Sequence, residues 1–308
     1  MGGSGGSFVD VKPRALQDQI RRAELDIAQA EFGPRLTELL DSYLATINAR
    51  DVETTRQRLG VIKDSLADVI EETFDLLFGG SVAKRTFVDG LSDIDTLVVL
   101  KDPDRGTGGP KQILRKVARI LRAKLATTVS VTEGRIAVTV DYSDGMQIQL
   151  VPAVSVGGSL RVPGWSGNTW SRIDPKGFTR ALTNRNQQCA GKLIPVVKLA
   201  KAINGTLPES RQLSGYHIES LAVAAFRSYE GPMVISKMLP YFFREVRTLV
   251  LTQMKDKTGQ SVHVDEYLGA AHSVLRREVS HLFDRIGKRM ENATIGHSTE
   301  QWKAFFEQ

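Results

Sequence analysis

The feature of this chain that most constrains its fold is a central block in which apolar and polar residues alternate. From about Thr86 to Val156, the segments "DTLVVL", "TVSVTE", "RIAVTVDY" and "MQIQLVPAV" are typical of β-strands. Between the first two, "GPKQILRKVARILRAKLA" carries apolar residues at helical spacing and begins with a Gly-Pro pair, which predicts an amphipathic helix. The block therefore predicts a small mixed sheet flanked by helices.

Helical periodicity fills both sides of this block. From about Pro13 to Phe78 the apolar residues recur at three- and four-residue spacing, and we interpret the region as two long helices. We expect Gly79 and Gly80 to terminate the helix whose last apolar residue is Phe78. After the connection "SVGGSLRVPGWSGNTW", everything to Gln308 is expected to be helical. The predicted class is α+β, a mixed sheet with flanking helices plus a helical C-terminal lobe.

Length and composition restrict the kind of protein further. A chain of 308 residues exceeds the usual size of one domain. We predict an expression linker (1–7), a sheet unit with the N-terminal helices (8–160) and a helical lobe (161–308). No apolar stretch approaches the roughly 20 residues of a membrane-spanning helix, and no secretion signal is present. The single cysteine, Cys189, excludes a disulfide framework and fits the reducing cytoplasm. A net charge of +6 suits a polyphosphate ligand or nucleic acid without requiring either.

Two carboxylates stand at the start of the strand "DTLVVL". Asp93 and Asp95 are two residues apart, so on a strand both would point to one face while Ile94 points to the other. Adjacent like charges destabilise each other unless a cation lies between them, and carboxylate oxygens suit Mg²⁺ or Mn²⁺. The plainer alternative is a solvated strand edge with two incidental aspartates. We interpret the pair as a divalent-metal site at the mouth of this strand.

The sequence around this pair resembles the nucleotidyltransferase superfamily of DNA polymerase beta. The resemblance rests on Gly79-Gly80-Ser81 and on "SDIDTLVVL" about a dozen residues later. Within the superfamily, the chain is most similar to the CD-NTases, the cyclic-oligonucleotide synthases of bacterial antiphage signalling (CBASS) and relatives of cyclic GMP-AMP synthase and oligoadenylate synthase. Further segments extend the likeness over roughly residues 60–230: "IQLVPAV", "IDPKGFTRALTNRNQQCAGKLIPVVKLAKAIN" and "LSGYHIESLAV".

The resemblance implies a polymerase-beta-like core, a helical lobe that completes a nucleotide cleft, and two-metal phosphoryl-transfer chemistry. Two Mg²⁺ or Mn²⁺ ions held by Asp93, Asp95 and a third carboxylate would bridge a nucleoside triphosphate and the attacking hydroxyl. Gly80 and Ser81 would contact the phosphates, and Lys84 would add charge there unless it belongs to a solvated basic turn. The implied partners are ATP, other nucleoside triphosphates and regulatory proteins of the defence operon. No membrane is implied, and activation by nucleic acid is left open.

The third carboxylate departs from the family pattern, because Gln149 stands three residues before the proline of "VPA", where an acid is usual. The neighbouring strand offers Asp141. If residues 143–145 form a three-residue loop with a left-handed glycine, Asp141 pairs with Gln147 on the polar face. A two-residue Asp-Gly turn would instead set it beside an isoleucine and mix the two faces. The pattern favours Asp141 as the third metal ligand, against Asp144 or no third carboxylate, and leaves Gln149 as a nucleotide-binding candidate.

The second lobe contributes further candidates through the same resemblance. Lys201 occupies the place of the lysine that meets the triphosphate, and Ser214 and Tyr216 fall where the family contacts the nucleotide. Asn186 is another family-based candidate. Each has a plainer alternative, since a lysine is commonly solvated and an aromatic residue at a helix start commonly belongs to the core.

Together these features predict a nucleotidyltransferase that makes a cyclic di- or trinucleotide second messenger from ATP, alone or with other nucleoside triphosphates. Two alternatives remain open. One is a template-independent transferase that acts on an RNA end or a small molecule. The other is a nucleotide-binding sensor with impaired catalysis, which the amide of Gln149 in place of an acid would explain.

Overall fold

The part of the chain that the computed structural model describes contains one seven-stranded sheet and nine α-helices. The described residues are 13–48, 52–67, 74–78, 94–100, 109–164, 166–256 and 263–307. The strands are β1 (Phe74–Phe78), β2 (Ile94–Leu100), β3 (Ser130–Glu133), β4 (Val138–Asp141), β5 (Gln147–Val156), β6 (Ser159–Pro163) and β7 (Trp170–Ile173). The helices are α1 (Pro13–Asn48), α2 (Val52–Ala67), α3 (Pro110–Lys124), α4 (Pro175–Gln188), α5 (Leu193–Gly205), α6 (Gly215–Ala225), α7 (Ile235–Leu249), α8 (Val274–Ile295) and α9 (Thr299–Lys303).

The sheet is mixed, as the sequence predicts. Its order is β1-β2-β5-β4-β3, with β6 paired to β5 and β7 paired to β6. β2 and β5 run parallel, and every other pair is antiparallel. The strand that carries the Asp-x-Asp motif therefore lies next to the strand that carries Gln149.

Helix α3 covers one face of this sheet. It starts at Pro110, directly after Gly109, where the missing N–H of proline removes no helical hydrogen bond. Its apolar stripe is buried together with the inward residues of β4 and β5. The predicted amphipathic helix is confirmed. The opposite face of the sheet carries a small apolar cluster of Leu97, Val99, Ala153 and Val162, and polar positions lie at one end of it.

The segment Phe74–Phe78 is a strand and not the end of a helix as we predicted. It pairs with β2 over its whole length. A five-residue apolar run is too short for periodicity to separate a buried helix from a buried strand, so the hydrogen bonds of the ladder decide. The helix that Gly79 and Gly80 were expected to terminate is therefore absent at Phe78, and both glycines lie outside the described residues.

The connection after β5 also differs from the prediction, because it contains β6 and β7. Gly157 and Gly158 have φ values of +57° and +75° and form the two-residue turn that pairs Val156 with Ser159. Such a turn needs positive φ at both central residues, which glycine adopts without strain. Gly157 and Gly158 therefore indicate a β-hairpin between β5 and β6. The helical lobe begins after β7, at α4.

The helical lobe has its own core, and α1 packs into it. Phe32, Leu36 and Leu40 of α1 are buried with residues of the helices that follow β7. Our division of the chain at residue 160 groups α1 with the sheet unit, whereas these contacts group it with the second lobe. None of the described helices combines the length and the apolarity that crossing a membrane requires.

Candidate active site

A row of polar positions crosses three strands of the sheet. Asp95 of β2 is the register partner of Gln149 of β5, and Gln149 is in turn opposite Thr139 of β4. Register partners occupy the same face of a sheet. The residues that alternate with Gln149, Ile148 and Leu150, are fully buried on the other face. The backbone therefore sets Asp95 directly beside the position at which the family usually has its third acid.

The loop between β4 and β5 has three residues, as predicted. The Tyr142 N–H donates to the carbonyl of Met146 at 2.9 Å, and Gly145 has a φ of +86°. Asp141 consequently pairs with Gln147. The predicted register is confirmed, and the alternative two-residue turn is not formed.

Asp141 lies on the polar face, but one strand beyond Gln149. The side-chain amide of Gln147 donates to Asp141 Oδ1 at 2.6 Å. Because β5 separates β4 from β2, Asp141 is two strand spacings, about 10 Å, from the line of β2. Oxygen ligands lie only about 2 Å from Mg²⁺, so this separation favours a through-space contribution over an ion shared directly with Asp95. The metal role of Asp141 stays a prediction.

The alternative third carboxylate, Asp144, has a structural partner. Arg58 of α2 donates to both of its carboxylate oxygens, at 3.0 and 2.8 Å, and its guanidinium lies 4.0 Å from the ring centroid of Tyr142. The hydrogen bonds from Arg58 lower the pKa of Asp144 below its usual value. These contacts tie the tip of the hairpin to α2 and account for Asp144 without a metal.

Lys201 forms a buried ion pair in the helical lobe. Its Nζ donates to Glu219 Oε1 at 2.8 Å, with the two side chains only 4% and 1% exposed. A Cβ added at Gly215, the first residue of α6, would lie 3.3 Å from Lys201 Nζ. The alternative of a solvated lysine is therefore excluded, because the side chain of Lys201 is buried beneath the start of α6.

The start of α6 is also where Ser214 and Tyr216 lie. Ser214 caps the helix, because its hydroxyl accepts the N–H of His217 at 3.2 Å. The Tyr216 hydroxyl donates to Asp256 at 2.8 Å, and its half-buried ring meets the edge of Phe178 with centroids 4.8 Å apart. The structure thus brings Lys201, Ser214 and Tyr216 together at one helix start, while their predicted nucleotide contacts stay predictions.

The residues that hold this turn from behind were missed by sequence reasoning. Tyr267 accepts the N–H of Ser214 at 3.0 Å and contacts His217 Nδ1 at 2.9 Å. Asp265 and Arg276, both fully buried, form an ion pair at 2.7 Å, and Arg276 also donates to backbone carbonyls of the α7–α8 connection. The pattern of the last 80 residues gave no signal of this network, because Asp265, Tyr267 and Arg276 lie about fifty or more residues from the turn that they support.

Protonation of His217 should destabilise the fold. The side chain is fully buried and faces Tyr267, Asp265 and Arg276, and burial lowers its pKa from 6.5 to about 4. Because the unfolded chain binds this proton more readily, the stabilisation present above pH 6.5 is lost as the pH falls towards 4, by about 3 kcal/mol. Urea unfolding between pH 8 and 4.5 measures it. His217→Gln should flatten the decline, whereas His281→Gln, on an exposed histidine, should not; an equally steep decline in His217→Gln would contradict the assignment.

The remaining candidates divide into one with a structural partner and four that lie outside the described residues. The Asn186 side-chain oxygen accepts the N–H of Ile194 at 3.0 Å and so caps the first turn of α5. This contact accounts for Asn186 as a helix cap, and its nucleotide contact remains a prediction. The candidates outside the described residues are Gly80, Ser81, Lys84 and Asp93.

The mixed sheet, with Asp95 in register with Gln149, together with the helical lobe, has the architecture of the polymerase-beta-like nucleotidyltransferases. Residues 33–186, half of the chain, match the profile of the Second Messenger Oligonucleotide or Dinucleotide Synthetase domain. The chain belongs to this SMODS family, the CD-NTases that synthesise cyclic oligonucleotides. The predicted family and the predicted fold class are confirmed.

Solved structures with the same fold include three bacterial proteins. The chain is 16% identical to Escherichia coli MS115-1 CdnC, solved with ATP, covering 85% of this chain and 93% of that one with a TM-score of 0.64. For Bradyrhizobium diazoefficiens CdnG, solved with GTP, the identity is 14%, the coverage 82% and 92%, and the TM-score 0.62. Vibrio cholerae DncV cyclic AMP-GMP synthase was solved with the linear intermediate 5′ pppA(3′,5′)pG. Its identity to this chain is 10%, the match covers 94% of this chain and 89% of that one, and the TM-score is 0.60. No curated protein matches the chain.

Proposed function

We propose that this chain joins nucleoside triphosphates, ATP among them, into a cyclic di- or trinucleotide second messenger in antiphage defence. The observation that carries the proposal is the register of β2 and β5, which sets Asp95 on the polar row of a SMODS sheet. Related synthases were solved with ATP, with GTP and with a linear dinucleotide intermediate. The cytoplasm is the proposed location, and regulatory proteins of the defence operon are proposed partners.

Asp93 and Asp95 are proposed to hold two Mg²⁺ or Mn²⁺ ions. The polar row suits such ions, because its described side chains offer amide and hydroxyl oxygens whereas the opposite face is apolar. When bound, the ions supply positive charge that stabilises the attacking and leaving oxygens of an in-line displacement. Gly80, Ser81 and Lys84 are proposed to hold the phosphates. Among the described residues alone, no three acidic, histidine or cysteine side chains form a metal cluster.

The start of α6 is proposed as the nucleotide-binding side of the second lobe. Lys201 lies beneath this helix N-terminus with its charge balanced by Glu219, and the backbone N–H groups of the first turn favour an anion. Tyr216 offers an aromatic ring for stacking on a base, and its hydroxyl bond to Asp256 fixes the ring. Ser214, as the cap, orients this first turn.

Asp141→Asn is expected to lower kcat by about twentyfold. A charge separated by about 10 Å, the distance of Asp141 from the line of β2, contributes about 1.7 kcal/mol at an effective dielectric constant of about 20. Gln149→Ala should stay within about threefold of the wild type, because an amide contributes only a dipole. Initial rates of nucleotide incorporation by folded variants measure both. Full activity of Asp141→Asn would refute the role of Asp141 as the third carboxylate. A Gln149→Asp variant faster than the wild type would add to that refutation, because it would show that position 149 is where the missing acid acts.

Labelled nucleoside triphosphates test the proposed function directly. The protein is incubated with each α-³²P-labelled triphosphate, singly and in pairs, with Mg²⁺ or Mn²⁺, then treated with phosphatase and chromatographed. A phosphatase-resistant small product supports a cyclase. Lengthening of an added RNA primer would instead indicate a polymer-end transferase, and Asp95→Asn is the inactive control.

A catalytically impaired nucleotide sensor is the second candidate, and Gln149 favours it. An amide replaces the acid beside Asp95, which removes one negative charge from the proposed metal site. In that case, the chain would bind a nucleoside triphosphate in calorimetry and form no product in the labelling assay. Product formation by the wild type would exclude it.

A further inference from the structure

The helical lobe contains a cavity that the proposed chemistry does not use. It has a volume of about 240 Å³ and lies where the C-terminal end of α5 meets α8 and the segment after α9. Ile203, Ile286 and Phe305, all buried, form its apolar floor. A neighbouring cavity of about 470 Å³ shares Phe305 and Arg289 with the first. Together they reach the size of ordinary small-molecule sites, which begin at about 300 Å³.

The rim of this cavity is strongly basic. Arg211, Arg285 and Arg289 line it, all three exposed, and none of its lining residues in the described chain is acidic. Arg285 and Arg289 are one turn apart on α8, and the guanidinium of Arg289 lies 5.1 Å from the ring centroid of Phe305. Arg211 pairs with Glu278 at 3.2 Å, outside the lining. Like charges around one cavity repel each other, and an anionic ligand would relieve that repulsion.

We infer that this cavity is a second nucleotide site, which takes a nucleoside phosphate. An apolar floor under a rim of arginines suits a ligand with an aromatic ring at one end and phosphate oxygens at the other. Guanidinium groups bind phosphate through two parallel hydrogen bonds and also stack on aromatic rings. The arginines surround one open concave depression, which suits a small molecule, whereas a nucleic acid would need an extended basic stripe.

Helix α5 connects this site to the proposed catalytic cleft. Lys201 and Ile203 are two residues apart, so they project about 200° apart around the helix. Lys201 meets Glu219 beneath α6, and Ile203 lines the cavity on the opposite side. A ligand in the cavity therefore packs against the helix that positions Lys201. Its effect on catalysis rests on the proposed function, whereas its binding does not.

Calorimetric titration of the protein with AMP tests the site, in a buffer with EDTA that removes the divalent ions on which nucleotide binding in the proposed cleft depends. We expect AMP to bind the wild type, and the double variant Arg285→Glu/Arg289→Glu to bind at least tenfold more weakly. Arg277→Glu is the matched control, because Arg277 is an exposed arginine of α8 outside the cavity. If the double glutamate variant fails to fold, the double variant Arg285→Gln/Arg289→Gln, which removes the two charges without reversing them, is used in its place.

The outcomes separate the site from its alternatives. Equal AMP binding by the wild type and the double variant, or no AMP binding by the wild type, overturns the inference. So does binding of duplex DNA or RNA, but not AMP, that depends on the two arginines. Titration with the purified product of the labelling assay shows whether the natural ligand is a free nucleotide or that product. If that assay yields no product while AMP binding still depends on the arginines, the second site stands and the cyclase proposal fails.

Discussion

Asp95→Asn is expected to lower kcat by about a thousandfold or more. The register of β2 and β5 sets Asp95 on the polar row, and an asparagine there supplies no negative charge to hold a divalent ion. Because Asp93 and Asp95 are proposed to hold the same ions, either single variant should remove nearly all activity, and the double variant should be scarcely slower. Single-turnover incorporation of labelled ATP, with Mg²⁺ at saturation, measures the three rates.

Folding of these variants provides the control. Neighbouring carboxylates repel each other, so Asp93→Ala/Asp95→Ala should unfold at the same temperature as the wild type or higher when no metal is present. A folded double variant that still incorporates nucleotide at a substantial rate would contradict the catalytic assignment of both residues.

Glu219→Gln is expected to lower the free energy of unfolding by about 3–5 kcal/mol, because it leaves the charge of Lys201 buried beside an uncharged amide. The two side chains are 4% and 1% exposed, so solvent screens little of this loss. Urea unfolding at pH 7.5 measures it. The matched control is Glu300→Gln, which breaks an exposed ion pair of similar length, 2.9 Å to Lys303, and should cost at most about 1 kcal/mol.

A double variant separates the stability of this pair from its use. Lys201→Met/Glu219→Leu replaces both charges with apolar side chains of similar volume and should recover most of the stability that Glu219→Gln loses. Its KM for the nucleoside triphosphate should nonetheless rise at least tenfold, because the proposed phosphate contact of Lys201 is gone. Wild-type KM in a stable double variant would show that the ion pair only stabilises the fold.

Local patterns predicted the centre of the sheet correctly. The register of β4 and β5 followed from one requirement, that apolar residues share a face, together with a glycine able to adopt positive φ at position 145. Helix α3 followed from its Gly-Pro start and its apolar spacing. The same reasoning mistook Phe74–Phe78 for helix, because five apolar residues have no period and only their pairing with β2 defines them.

The candidate site was predictable only where one stretch of sequence carries it. Asp93 and Asp95 form a local motif, and the start of α6 was found through a resemblance. Asp265 and Arg276 are separated from that turn by about fifty and sixty residues, and no local pattern relates them to it. Burial of Lys201 likewise depends on a partner from another helix, which sequence spacing does not reveal.

The bonds behind the start of α6 limit how members of such a family can recombine. Tyr216 depends on Asp256 for its hydroxyl bond, and Ser214 depends on Tyr267 for its backbone N–H. A chimaera that joins residues 1–230 of this chain to a tail without counterparts of Asp256 and Tyr267 would lose both contacts, although every residue of its family-like segment is retained. The last quarter of the chain and the turn that it supports therefore form one structural unit, and a recombinant keeps the turn's geometry only when both come from the same parent.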